Sequence, residues 1–179
     1  MGAAIAEFKR SGMAEADVAT IVSAAGVAHG TFFFHFPTKE HVLLELEQRE
    51  ELRMAKQLGR FAEAKNNLPS TLSETLRLLL NLERRLGIPL FNDFLALHFS
   101  QTRPRAEGPA SHPVVVCVAE EIARARDRGE VDPEVNPTHS AVFFLLGLYA
   151  LLTTTHELPE HRPMLDDYLT RTIRGMSAT

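Results

Sequence analysis

The run Gly12–Lys39, GMAEADVATIVSAAGVAHGTFFFHFPTK, constrains the fold more than any other part of the chain. Val18, Ile21 and Val22 fall at i, i+3 and i+4, so they share one face of a short helix. Ala24, Ala25 and Gly26 follow. Small residues let two helix axes approach closely, and a glycine there can take the left-handed conformation that ends a helix. A second helix is predicted from near Val27 to about Phe34. Pro37 stops it, and Thr38 is placed to cap the next one. Two short helices across a glycine turn make a helix-turn-helix, whose second helix can enter a DNA major groove.

The remainder of the chain reads as helix. Residues 2–11 form one, with Ala4, Ile5 and Phe8 on one side. Lys39 to about Ala64 forms a long one, polar in its middle. Asn66-Asn67-Leu68-Pro69 breaks the pattern, and Thr71 with Glu74 predicts a capping box for the helix bearing Leu72, Leu76, Leu79 and Leu86. Pro89 opens a helix with Phe91, Phe94, Leu95 and His98 on one face. Gln101 to His112 reads as a loop, and Pro113 suits a first helical position. Gly129 ends that helix, and Asn136-Pro137 is a cap followed by a first-turn proline. Ala141 to Leu152 is apolar nearly all round, so its helix needs cover on every side. A last helix carries Met164, Leu165, Tyr168, Leu169, Thr172, Ile173 and Met176. No segment alternates with period two. The expected class is all-α, about nine helices: a three-helix helix-turn-helix domain over residues 1–38 and a helical regulatory and dimerisation domain over 39–179.

Composition narrows the setting. At 179 residues with 45% hydrophobic content the chain can bury a core, and a net charge of -4 excludes a basic nucleic-acid coat. One cysteine, Cys117, excludes an internal disulfide and fits a reducing cytoplasm. Glu7, Lys9 and Arg10 near the start, without an apolar run, predict no signal peptide. The longest apolar run, Ala141–Leu152, is shorter than the roughly 18 residues of a membrane span, so no membrane partner is expected.

Ala25-Gly26-Val27, Gly30-Thr31-Phe32-Phe33, His35-Phe36 and Lys39-Glu40 together resemble the DNA-binding domain of the TetR family of bacterial transcriptional regulators, without a gap. The stretch RGEVDPEVNPTHSAVFFLLGLYALL is similar to that family's C-terminal region. The family's first helix is longer and often preceded by a basic arm; this chain starts inside that helix. The resemblance implies a homodimeric, ligand-responsive regulator, expected to be a repressor on a palindromic double-stranded operator, with a small apolar effector and no cofactor. It implies DNA contacts from Ala28, His29, Gly30, Thr31, Phe33, Phe34, His35 and Lys39. Where the family usually has a hydroxyl residue, a basic residue and a tyrosine, this chain has Ala28, His29 and Phe33, and Ala16 and Asp17 stand where threonine and serine are common. Through residue 36 two cations face three carboxylates, a formal -1, in a domain type whose DNA affinity rests on neutralising phosphates. The alternative is a dimeric ligand-binding or interaction protein that has lost operator binding.

Two further groups have two readings each. Phe143, Leu148, Leu152, Leu165, Tyr168, Leu169, Thr172, Ile173 and Met176 on the last two helices are either internal core or a dimer interface, which would set two recognition helices about 34–36 Å apart. Phe91, Phe94, His98, Cys117, Phe144 and Tyr149 are either ordinary core or the lining of an effector pocket. Catalysis finds no support. His156-Glu157-Leu158-Pro159-Glu160-His161 is not H-E-x-x-H, and Pro159 breaks the helix such a metal site needs. No Glu-x-x-His pair, nucleophile elbow or phosphate-binding loop is present, so neither an enzyme nor a metal centre is expected.

Overall fold

The computed structural model describes residues 1–64, 67–100 and 112–178. Among these it is all-α: α1 (Gly2–Glu15), α2 (Val18–Ala25), α3 (His29–His35), α4 (Lys39–Glu63), α5 (Leu68–Leu86), α6 (Ile88–Ala96) with a 3-10 turn at Leu97–Phe99, α7 (Pro113–Asp127), α8 (Pro137–Thr154) and α9 (His161–Met176). An isolated bridge, Val131 to Ser177, is the sole extended pairing among the described residues. The expected loop at 101–112 falls almost wholly outside them. The chain divides into two compact units, residues 1–50 with 80–105 and residues 51–79 with 106–179.

In the first unit α1 packs on α2 and α6, and α2 packs on α3. Phe8, Phe32, Phe91 and Phe94 are buried there among aliphatic side chains such as Ile21, Leu43, Leu82 and Leu90. The helix read over 2–11 extends to Glu15, but Gly12 breaks it with φ 77° and ψ 163°. That conformation strongly favours glycine, and it turns the last residues of α1 toward α2. In the second unit α8 lies along α7 and α9. Leu58, Leu72, Val118, Ile122, Leu148 and Leu165 are buried there. By length and composition α8 could cross a membrane, but Ala141, Phe144, Leu145, Leu148, Tyr149 and Leu152 are buried within the fold.

Local signals placed most helix ends. Gly26 closes α2 at φ 65°, and Asn136 caps α8 by accepting from the His139 amide at 3.0 Å. The predicted capping box is corrected. α5 starts one turn earlier, at Leu68, with Asn67 Oδ1 accepting from the Ser70 amide at 3.0 Å. Thr71 is therefore inside the helix, and Glu74 turns to Arg77 instead. The second helix of the turn starts at His29 rather than Val27, because the Val27 amide is used to close α2 on the Val22 carbonyl.

Candidate nucleic-acid interface

Asp17 begins the motif. Its carboxylate accepts from the Ala19 amide at 3.1 Å and from the Thr20 amide and hydroxyl at 2.9 and 2.7 Å. The Thr20 hydroxyl, then the two amides, hold the carboxyl below its ordinary range. A group whose folded pKa is depressed stabilises the fold above the unfolded aspartate range, and that contribution is lost as the pH falls. Protection of the Ala19 and Thr20 amides, taken relative to the unfolded chain's exchange at the same pH, is therefore expected to fall on acidification below that range. Asp17→Asn, which keeps an oxygen acceptor but no titrating charge, is expected to flatten this dependence; an unchanged profile would point to another group.

α3 follows the turn. Phe32 alone of its residues is buried, with its ring edge-on to Phe33 at 5.3 Å and tilted against Phe36 at 5.7 Å. Anchored by that ring, α3 leaves Ala28, His29, Gly30, Thr31, Phe33, Phe34 and His35 exposed, Phe34 by 83%. Seven of the eight residues expected to meet DNA thus lie on one exposed helix or at its cap. Ala28 caps α3 without a side-chain bond. The exposed surface is aromatic: His29 stands 5.9 Å from Phe33, and Phe34 lies edge-on to His35 at 5.3 Å.

The eighth, Lys39, is half-buried at the start of α4 and already has partners. Its Nζ donates to the carbonyls of Ala14 and Ala16 at 2.8 and 3.2 Å, tying down the segment between α1 and α2. The other two early cations are committed in the same unit. Lys9 Nζ donates to the Arg85 carbonyl at 2.6 Å, and Arg10 is forked onto Glu7. Sequence reading counted these charges but could not see their partners. It also missed Asp93 on α6, whose Oδ2 accepts from the Met13 amide at 2.6 Å just beyond the Gly12 break.

The other expected residues divide between the two units. Phe91 and Phe94 are buried in the first unit, where His98 Nε2 lies 2.8 Å from Glu47 Oε1. Phe144 and Tyr149 are buried in the second, and the Cys117 thiol donates weakly to the Ala55 carbonyl at 3.7 Å. On α8 and α9, Leu148, Leu152, Leu165, Leu169 and Met176 are buried within the chain itself. Phe143 is 69% exposed, and Tyr168, Thr172 and Ile173 are partly so. Met164 on α9 and Leu146 on α8, the latter not singled out in the sequence, add exposed apolar surface.

Residues 1–46 match the model for bacterial regulatory proteins of the tetR family. No curated protein matches the sequence. Among solved structures, FadR of Thermus thermophilus, a TetR family transcriptional repressor in complex with lauroyl-CoA, is 20% identical at a TM-score of 0.81, covering 99% of this chain and 93% of that one. FadR of Bacillus subtilis in complex with stearoyl-CoA is 14% identical at 0.72, covering 98% and 96%. The fatty acid degradation regulator FadR of Bacillus halodurans is 17% identical at 0.70, covering 98% and 96%. The helix-turn-helix thus matches the tetR family model over residues 1–46, and over its full length the chain shares its fold with FadR of Thermus thermophilus, a TetR family repressor.

Proposed function

We propose that the chain is a ligand-responsive transcriptional repressor acting as a homodimer on a palindromic operator. Residues 1–38 read DNA, and residues 39–179 bind the effector and pair the subunits. The observation that carries this reading is α3, held by one buried ring and exposing every other contact residue. The second copy would sit on the α8–α9 surface around Phe143, Leu146 and Met164. A ligand acts by binding one DNA-spacing state better than the other, which is a linkage requirement. Two of the similar structures hold acyl-CoA ligands, which supports a ligand-responsive fold.

Fluorescence anisotropy on DNA from the protein's own promoter, across a salt series, tests it. Binding that weakens steeply with salt supports the regulator. No binding at low salt by folded, dimeric protein overturns it. A second reading, a dimeric ligand-binding protein without operator binding, has one observation in its favour: Lys9, Arg10 and Lys39 all have partners within the chain. The two readings separate on one variant. If α3 lies on DNA, His29→Lys is expected to tighten binding and steepen the plot of log affinity against log salt by about 0.9, one phosphate's worth. An unaltered slope means that position 29 does not face a phosphate.

A further inference from the structure

α3 lacks the side chains that read bases by paired hydrogen bonds. Its seven residues, HGTFFFH, include no arginine, lysine, asparagine, glutamine, aspartate or glutamate. Guanine is read by arginine or lysine, adenine by asparagine or glutamine, and cytosine by a carboxylate, so three of the four bases have no dedicated reader on this helix. His29, Thr31 and His35 can each make single hydrogen bonds, and a hydroxyl serves more than one base. Thymine is the exception. It carries a C5-methyl group into the major groove, and an apolar side chain reads that group by contact.

The helix presents one large apolar side chain that the fold does not use. Phe32 is buried and anchors α3, and Phe33 rests edge-on against it. Phe34 is 83% exposed, with only its neighbour His35 edge-on to the ring at 5.3 Å. A lone exposed apolar side chain is common on protein surfaces, so its surroundings decide its meaning. Gly30 stands four residues earlier, which puts it on the same face of the helix. Glycine weakens a helix relative to alanine, yet Gly30 has no positive φ and a Cβ there would meet nothing within 4 Å. Neither the backbone nor crowding within the chain demands it. What it leaves is a low step beside the Phe34 ring, where a base-pair edge can come close to the helix backbone.

We propose that Phe34 sets the base preference of α3: its ring packs on the C5-methyl of one thymine in each half-site, and Gly30 admits the edge of that base pair. This rests on the DNA-binding function proposed above and adds the base that the helix selects.

Deoxyuridine tests it, because it removes the methyl group and keeps the base pair and the phosphate. Each thymine of the bound promoter fragment is replaced in turn, and anisotropy reads the affinity of the full chain. One thymine per half-site is expected to matter, with affinity falling about fourfold for one half-site and about fifteenfold for both, the factor for one buried methyl and its square. Changing that base pair to cytosine and guanine is expected to weaken binding, and 5-methylcytosine to recover about fourfold per half-site, which separates contact with the methyl from a change in duplex stiffness. Phe34→Ala is expected to bind the thymine site more weakly and to bring the ratio of thymine to deoxyuridine affinity to about one, whereas Phe34→Leu keeps an apolar contact and part of the ratio. Because the ring is exposed, Phe34→Ala is expected to melt within about 2 °C of the wild type, so lost discrimination is not lost folding. Wild-type protein that binds the fragment but treats thymine and deoxyuridine alike overturns this inference and leaves operator binding standing. So does Phe34→Ala protein that keeps the full ratio. Wild-type protein that binds no promoter DNA overturns the proposed function, and this inference with it.

Discussion

Gly147→Ala is expected to lower the melting temperature by several degrees, although alanine is the better helix former. Gly147 lies within α8, and a Cβ there would come 2.7 Å from Cζ of Tyr168 on α9 and nearer still to its hydroxyl oxygen. The ring cannot stay where it is. Its hydroxyl donates to the carbonyls of Phe143 and Phe144, each at 2.9 Å, and it stacks on Phe144 with centroids 6.1 Å apart and planes 6° from parallel. Displacing it costs about 1 kcal/mol of hydrogen bonding, about 1 kcal/mol of ring contact and 1–3 kcal/mol of overpacking, against roughly 1 kcal/mol gained in helix propensity. The net is about 2–4 kcal/mol, which for a chain of this size is roughly 4–16 °C. Thermal unfolding of Gly147→Ala, Tyr168→Ala and the double variant checks it. The two positions touch, so the double variant is expected to lose less than the sum of the singles. A Gly147→Ala protein that melts at or above the wild type would show that the ring relocates without loss.

That contact illustrates what sequence could and could not show. Gly26, Pro113, Gly129 and Asn136-Pro137 act within a few residues of themselves, so their roles as caps and stops follow from local backbone chemistry. The all-round apolar run of α8 likewise forces burial, whatever covers it. Gly147 is different. It reads as a weak point in a helix until Tyr168, 21 positions away, is laid over it. The capping box failed for a related reason: Asn67 and Thr71 are one helical turn apart, both are good caps, and composition does not choose between them. The candidate interface was legible as a motif, because Phe32 and its exposed neighbours are set by a seven-residue helix. Its electrostatics were not. Lys39 is 23 and 25 residues from the carbonyls it binds, and a count of charges cannot tell an available ammonium from one already engaged. The α8–α9 apolar stripe was read as one surface. Burial splits it into core at Leu148, Leu152 and Leu165 and open surface at Phe143.

Asp93→Ala is expected to weaken DNA binding by roughly threefold to a hundredfold while leaving the helix content intact. Residues 12–16 lead from α1 into the helix-turn-helix, and side chains from elsewhere in the same unit fix their path. Lys39 holds the carbonyls of Ala14 and Ala16, and Asp93 holds the amide of Met13. A hydrogen bond to a charged acceptor contributes about 1.5–3 kcal/mol, and its loss leaves a partly buried amide without an acceptor. If only half of that passes into the placement of α2 and α3, affinity falls by roughly threefold to tenfold; if all of it does, by roughly tenfold to a hundredfold. Asp93→Asn keeps an acceptor oxygen and is expected to fall between the variant and the wild type. Anisotropy on operator DNA with circular dichroism as the control reads both, and a folded Asp93→Ala protein with unchanged affinity would refute the role. The position matters for regulation. Asp93 belongs to α6, the helix whose Phe91 and Phe94 are buried beside it in the chain. A displacement of α6 by even half an ångström would stretch a 2.6 Å bond to the segment that aims α2 and α3. The same variant is therefore expected to reduce any effector's influence on DNA affinity, because coupling requires a contact that differs between the two states.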